Sequence, residues 1–129
     1  MLRLIFAFAL GLHGVGHVLF LANAWGYWKT TTGRAWLFAD VLHAPQPLEG
    51  MIGLLWIVPL AGFVAATWGF VAHDARWAML AFSSAVMSTI LLLVWWSSLN
   101  VSSAFFALVF NVLVIVAILL QRQPDMLGR

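Results

Sequence analysis

Four long apolar runs constrain the fold of this chain more than any other feature of its sequence. They cover residues 4–25, 48–71, 77–96 and 102–120, and a helix of about 20 residues crosses the ~30 Å hydrocarbon core of a bilayer. Lipid cannot satisfy a bare backbone, so such segments cross a membrane as helices. The sequence therefore predicts an all-α, integral membrane, antiparallel four-helix bundle that forms a single transmembrane domain over residues 1–129.

The composition agrees with a protein whose surroundings are largely lipid. Hydrophobic residues make up 64% of the chain and charged residues 8%, whereas soluble domains carry about 25% charged residues. Six Lys and Arg residues are scattered along the chain against four Asp and Glu residues, so we exclude nucleic acid as a partner. The chain has no cysteine, which excludes disulfides, thiolate catalysis and thiolate metal sites.

The connections between the runs predict how the helices are arranged. Residues 72–76 and 97–101 are short, so each joins antiparallel neighbours. The longest connection, residues 26–47, ends in two prolines, which cannot continue a helix interior. Within it, residues 35–43 are expected to form a short segment that lies in the membrane interface. A proline inside the second run, Pro59, is expected to kink its helix.

The Lys and Arg residues predict the orientation. Four of them fall on one side of the four spans and two on the other: Arg3, Arg76, Arg122 and Arg129 against Lys29 and Arg34. Cytoplasmic loops carry the excess of these residues, so we expect both termini in the cytoplasm. The first run imitates a cleavable secretory signal but is as long as a full span, and we expect a retained helix.

Small residues and tryptophans predict packing and anchoring. One face of the first helix carries Ala7, Gly11, Gly14 and Val18, and small residues there let a neighbouring helix approach closely. Six of the eight tryptophans fall near the ends of the runs: Trp25, Trp28, Trp36, Trp77, Trp95 and Trp96. Because indole suits the membrane interface, we expect these six to act as interfacial anchors.

Two histidines lie deep in the first run, where ionisable groups are costly and often functional. His13 and His17 are four residues apart, so their imidazoles share one helix face. One interpretation is a ligand site for a metal, a haem or a bacteriochlorophyll, held through His13 or His17.

The simpler interpretation makes both histidines neutral hydrogen-bond partners of neighbouring helices, through Asn111, Ser84 or Ser88. A metal would need further ligands, and the remaining histidines, His43 and His73, are predicted at opposite membrane surfaces. If the site binds a ligand, the candidate ligand-binding residues are His13, His17, Ser84, Ser88 and Asn111.

A second polar set, Asp40, His43 and Glu49, is predicted at the outer interface. It could form a polar mouth for a ligand. The simpler interpretation is solvation at the interface, with Glu49 at a helix start, where the helix dipole favours an anion. Neither set resembles a catalytic nucleophile with its base and orienting carboxylate, so we lean towards a protein that is not an enzyme.

Several short motifs resemble a group of small bacterial four-helix membrane proteins. These motifs are the run from Leu12 to Leu19 around His-Gly-Val-Gly-His, the following Ala22–Gly26, Gly53–Trp56, Trp96-Ser97 and Asn111. Asn23 stands where that group usually has a lysine. The resemblance implies a bacterial cytoplasmic membrane location and a four-helix topology, with no established activity. A more distant likeness to DoxX-like proteins concerns architecture alone.

Three functions fit these observations. The first is an accessory or scaffold subunit that docks on other membrane protein subunits through its small-residue and tryptophan faces. The second is a binder of a lipid, quinone or pigment between the helices near His13 and His17. The third is a redox protein with a haem or metal at the same histidines. We rank the accessory subunit first.

Overall fold

The computed structural model describes residues 2–27 and 34–121 as a helical bundle. Its α-helices are α1 (Leu2–Ala24), α2 (Gln46–Gly53), α3 (Ile57–Val71), α4 (Trp77–Trp95) and α5 (Val101–Gln121). Four stretches are long and apolar enough to cross a membrane: Arg3–Ala24, Gln46–Val71, Trp77–Ser98 and Val101–Gln121. Each predicted span ends within two residues of these bounds, so the predicted all-α four-helix architecture is confirmed.

The helices pack in the order α1, α3, α4 and α5. Helix α3 packs against α1 and α4, and α5 packs against α4, whereas α1 and α5 touch each other much less within the described residues. The seam between α1 and α5 is therefore open. The outer surface is apolar along its length, with Phe8, Trp68 and Phe106 more than two-thirds exposed. Such a surface indicates contact with lipid.

Helix α1 is tightly packed against α3 at Gly14. A Cβ atom added there would lie 2.7 Å from the Cβ of Phe63. The buried residues of this face, Ala7, Leu10, Gly14 and His17, follow a spacing of three and four residues, which is the seam of helices that coil around each other. Val18, predicted on the packing face, is 45% exposed. The prediction assumed a straight helix of about 3.6 residues per turn, whereas the buried positions repeat about every 3.5 residues, so the contact face moves away from Val18 along the helix.

The predicted break at Pro59 appears as a short 3₁₀ turn, Leu54–Trp56, between α2 and α3. Proline has no N–H, so the carbonyl of Leu55, four residues earlier, loses its helical donor. The N–H of Ile57 bonds to the carbonyls of Leu54 and Leu55 instead. This turn places the Trp56 side chain inside the bundle, where it is fully buried.

Residues 34–45, called the strap below, cover one end of the bundle. One π-helical turn, Leu37–Val41, occupies the middle of the strap, inside the predicted interfacial segment. Its anchors are an ion pair between Arg34 Nε and Glu49 Oε2 at 2.9 Å and the N–H of Ala35, which donates to Glu49 Oε1 at 3.0 Å. Because these groups bond to α2, the strap is held against the helices.

The strap changes the environment of one tryptophan. We predicted Trp95 as an interfacial anchor, yet its side chain is only 1% exposed. Its ring packs between Phe38 of the strap, at a centroid distance of 5.0 Å, and Trp56, at 6.1 Å. The prediction is wrong because the position of Trp95 near the end of a span does not reveal that the strap covers it.

The connection between the second and third spans is short, as predicted. His73 takes a left-handed φ of 62° and ends α3, and the N–H of Asp74 then bonds back to the carbonyl of Gly69 at 2.9 Å. Hydrogen bonds from the Arg76 side chain lower the pKa of the Asp74 carboxyl to about 2. The two side chains therefore remain an exposed ion pair at neutral pH.

We expect Gly14→Ala to destabilise the bundle and Gly16→Ala, on the same helix, to leave it intact. Alanine is favoured over glycine in a helix by about 1 kcal/mol, whereas overpacking costs about 1–3 kcal/mol. At Gly14 the added methyl meets Phe63, but at Gly16 it meets nothing within 4 Å. Unfolding by SDS titration in bicelles measures the difference, and equal stabilities would contradict the close approach of α1 to α3.

Candidate functional site

Four polar side chains from three helices meet in the middle of the bundle. His13 and His17 come from α1, Ser88 from α4 and Asn111 from α5. Ser88, His17 and Asn111 are fully buried, whereas His13 is partly exposed. We call this group the polar chain. It separates two apolar clusters, one below the strap around Trp56 and one at the opposite end of the bundle.

Hydrogen bonds connect the members of the polar chain in a fixed order. The Nδ1 atom of His17 lies 2.9 Å from the carbonyl oxygen of His13 and 3.2 Å from that of Gly14. The Nε2 atom of His17 lies 2.7 Å from the Oγ of Ser88, which the Nδ2 of Asn111 approaches at 2.8 Å. The Oδ1 of Asn111 lies 2.9 Å from the Nε2 of His13.

The direction of these hydrogen bonds follows from the carbonyls at one end. Carbonyl oxygens only accept, so the Nδ1 of His17 carries a proton, and its Nε2 accepts in the neutral ring. The Ser88 hydroxyl then donates to that nitrogen and accepts from the Asn111 amide. The Asn111 oxygen accepts in turn, so His13 is protonated at Nε2. In the neutral ring of His13, Nδ1 is left as an acceptor.

This Nδ1 atom of His13 has no hydrogen-bond partner among the described residues. This atom is also accessible from outside the protein. Among the described residues, the side-chain nitrogen and oxygen atoms that are both buried and unpaired are the Nε1 atoms of Trp56 and Trp95, and the Nδ1 of His13 is not one of them. His13 therefore has one ring nitrogen fixed by the polar chain and one ring nitrogen open.

A groove in the seam between α1 and α5 runs along His13. Its volume is about 420 Å³, and apolar side chains make most of its walls. The lining residues are Ala9, Leu12, His13, Gly16, Leu19, Phe20, Ser103, Phe106, Ala107 and Phe110. Leu12 and Phe106, at its edges, are 61% and 71% exposed, so the groove opens sideways towards lipid.

Aromatic rings fix the orientation of both imidazoles. His13 stacks on Phe110 at a centroid distance of 4.3 Å and meets Phe63 edge-on at 4.9 Å. His17 lies against Phe63 and Trp56, both at 5.6 Å. A ring enclosed in this way keeps its nitrogens in place, which a directional hydrogen-bond chain requires.

Ser84 stands apart from the other candidate ligand-binding residues. Its side chain is buried one turn before Ser88, but it makes no hydrogen bond with the described residues. Its Oγ atom occupies the space beside Gly62, where an added Cβ would overlap it. Ser84 therefore serves the packing of α4 against α3.

The predicted outer polar set is dispersed. Glu49 is only 5% exposed and is occupied by Arg34 and the N–H of Ala35. Asp40 and His43 have exposed side chains on the strap and make no hydrogen bond with the described residues. Sequence reasoning missed the pairing of Arg34 with Glu49, since two charges fifteen residues apart across a turn carry no local signal.

The geometry does not favour a metal ion or a macrocycle that both histidines hold together. The Nε2 atoms of His13 and His17 are both occupied by side-chain hydrogen bonds. His17 is fully enclosed, so a haem or bacteriochlorophyll cannot reach it without opening the bundle. No group of three or more His, Asp or Glu side chains suited to a metal ion occurs in the described part of the chain.

Comparisons with known proteins add no assignment. No protein-family model, curated protein or solved structure matches this chain. The resemblance noted from the sequence stays a prediction.

We expect Ser88→Ala to lower the free energy of unfolding by about 1–3 kcal/mol, because it leaves His17 and Asn111 buried without their shared partner. Ser84→Ala removes a buried hydroxyl one turn away that has no such partner, so it leaves no group unpaired and should lower stability less than Ser88→Ala. SDS titration of both variants measures the difference. Equal losses would show that the polar chain contributes no more than ordinary packing.

Proposed function

We propose that the protein binds a small lipophilic molecule in the groove between α1 and α5, with His13 as its polar contact. The observation that carries this proposal is the unpaired Nδ1 of His13, a residue that lines a mostly apolar groove. Ligand sites are typically apolar concavities of about 300–1,000 Å³ with a few oriented polar groups. The groove fits this description in both volume and lining.

The polar chain supports binding over simple helix association. Interhelical hydrogen bonding accounts for His17, Ser88, Asn111 and the Nε2 of His13, but it gives no role to the Nδ1 of His13. His13 extends the same chain to the lipid-facing groove and ends it on an unpaired acceptor. An unpaired polar atom next to hydrocarbon is costly, and a bound ligand with a matching group would remove that cost.

The proposed ligand enters from the bilayer. The groove opens between exposed apolar side chains of α1 and α5, so a molecule dissolved in lipid reaches His13 without crossing the bundle. This route suits the lipid, quinone or pigment that the sequence suggested. We keep, as parts of the same proposal, a bacterial cytoplasmic membrane and cytoplasmic termini, which rest on the resemblance and on the Lys and Arg distribution.

An accessory subunit of a larger membrane complex is the second candidate function. The observation in its favour is the extent of the apolar outer surface, including Trp68 at 75% exposed and Phe8 at 72%. Lipid covers such a surface equally well, so the groove, which lipid packing does not explain, ranks higher. Neither candidate assigns a reaction to the chain.

A groove-filling variant tests the proposal. Gly16 lines the groove, and a Cβ atom added there meets no atom within 4 Å, so we expect Gly16→Leu to place its side chain in the groove without disturbing the fold. Ala65→Leu, on the exposed side of α3, is the matched control. Each protein is extracted from its native membrane in polymer nanodiscs, and bound small molecules are identified by mass spectrometry and absorption.

We expect a stoichiometric lipophilic molecule with the wild type and with Ala65→Leu, and its loss with Gly16→Leu. Retention of the same molecule by Gly16→Leu would overturn the groove as the site. Co-purified protein subunits without any enriched small molecule would favour the accessory function instead.

A further inference from the structure

The geometry points to a ligand that presents a hydroxyl group to the Nδ1 of His13. The ligand is thus a lipophilic alcohol, phenol or quinol, and not a molecule whose polar groups are all carbonyls. This inference rests on the proposed function, because it names the chemical class of the ligand in that groove. It follows from the direction of the polar chain and from the depth at which the chain ends.

The direction of the polar chain cannot be reversed without stranding a buried atom. If His13 carried its proton on Nδ1, its Nε2 lone pair would face the oxygen of Asn111, so the Asn111 amide would have to rotate. The rotated amide would turn its oxygen to Ser88 and draw the hydroxyl proton away from His17. The Nε2 of His17 would then be an acceptor without a donor in a fully buried ring.

A change of tautomer in His17 does not rescue the reversed chain. Its Nδ1 lies against the carbonyl oxygens of His13 and Gly14, which can only accept, so Nδ1 must carry the proton. The backbone of α1 thus fixes the state of His17, and the state of His17 fixes Ser88, Asn111 and His13 in turn. The groove is left with an acceptor, and only a donor group on the ligand can pair with it.

The depth of His13 limits which hydroxyl can reach it. Helix α1 runs from Leu2 to Ala24, so at a rise of about 1.5 Å per residue His13 lies about 16 Å from either end. Polar headgroups of ordinary phospholipids stay near the membrane surfaces. An acyl chain in the groove would leave Nδ1 unpaired, so the fitting ligand carries its hydroxyl on an apolar body that lies at the middle of the membrane.

A matched pair of probes tests the inference directly. The probes are 4-nonylphenol and its methyl ether, 4-nonylanisole, which share their apolar body and differ in the hydroxyl proton. Binding to the full chain in lipid nanodiscs is measured by equilibrium dialysis, with empty nanodiscs subtracted. We expect the phenol to bind wild-type protein about tenfold more tightly than the ether.

Two variants separate the donor contact from general loss of structure. His13→Phe keeps an aromatic ring beside Phe110 and should bind both probes equally, with the affinity for the ether retained. Ser88→Ala frees the Asn111 amide to take either orientation. The ratio of the affinity for the phenol to that for the ether should therefore fall towards 1. Ser83→Ala, whose exposed hydroxyl bonds within its own helix to Leu80, should keep the full preference.

The outcomes distinguish this inference from the proposed function. Equal binding of the two probes to wild-type protein, blocked by Gly16→Leu, would overturn the hydroxyl inference and leave the groove as the ligand site. Absence of binding by either probe above the empty nanodiscs would overturn both proposals. A phenol preference that survives His13→Phe would also overturn the inference, since the donor would then bind to another group.

Discussion

The hydrogen bond from the Nδ1 of His17 to the carbonyl of His13, one turn earlier in the same helix, determines the polar structure of this bundle. Backbone carbonyls can only accept, so the Nδ1 of His17 must donate. Each following side chain can then complete its hydrogen bonds in one direction only. Ser88 and Asn111 take the direction that His17 leaves them, and they pass it to the imidazole of His13. The chemistry that the groove can offer thus originates in the helix backbone.

Helix packing holds the side chains of the polar chain in position. The close approach of α1 and α3 at Gly14 places Phe63 against both imidazoles, and Trp56, turned inward by the break before Pro59, covers His17. The strap closes the same end of the bundle through the ion pair of Arg34 and Glu49. The seam between α1 and α5 is left open to lipid.

The sequence predicts the spans well because length and apolarity alone decide which segments cross a membrane. It also brings His13 and His17 together with Asn111 and Ser88, since these rare polar residues share a depth. It could not tell Ser88 from Ser84, because one helical turn of α4 decides which hydroxyl faces the histidines. The burial of Trp95 and the Arg34–Glu49 pair depend on where the strap folds back, which no local periodicity encodes.

The protonation pattern of the two imidazoles reports the direction of the polar chain. Solid-state ¹⁵N NMR of the histidine-labelled protein in lipid at neutral pH distinguishes Nδ1–H from Nε2–H rings. With His43 and His73 replaced by Asn, only His13 and His17 contribute signals, and the further change His13→Phe removes those of His13. We predict that the neutral His17 ring is protonated at Nδ1 and the neutral His13 ring at Nε2. A His13 ring protonated at Nδ1, or a His17 ring protonated at Nε2 alone, would contradict this prediction.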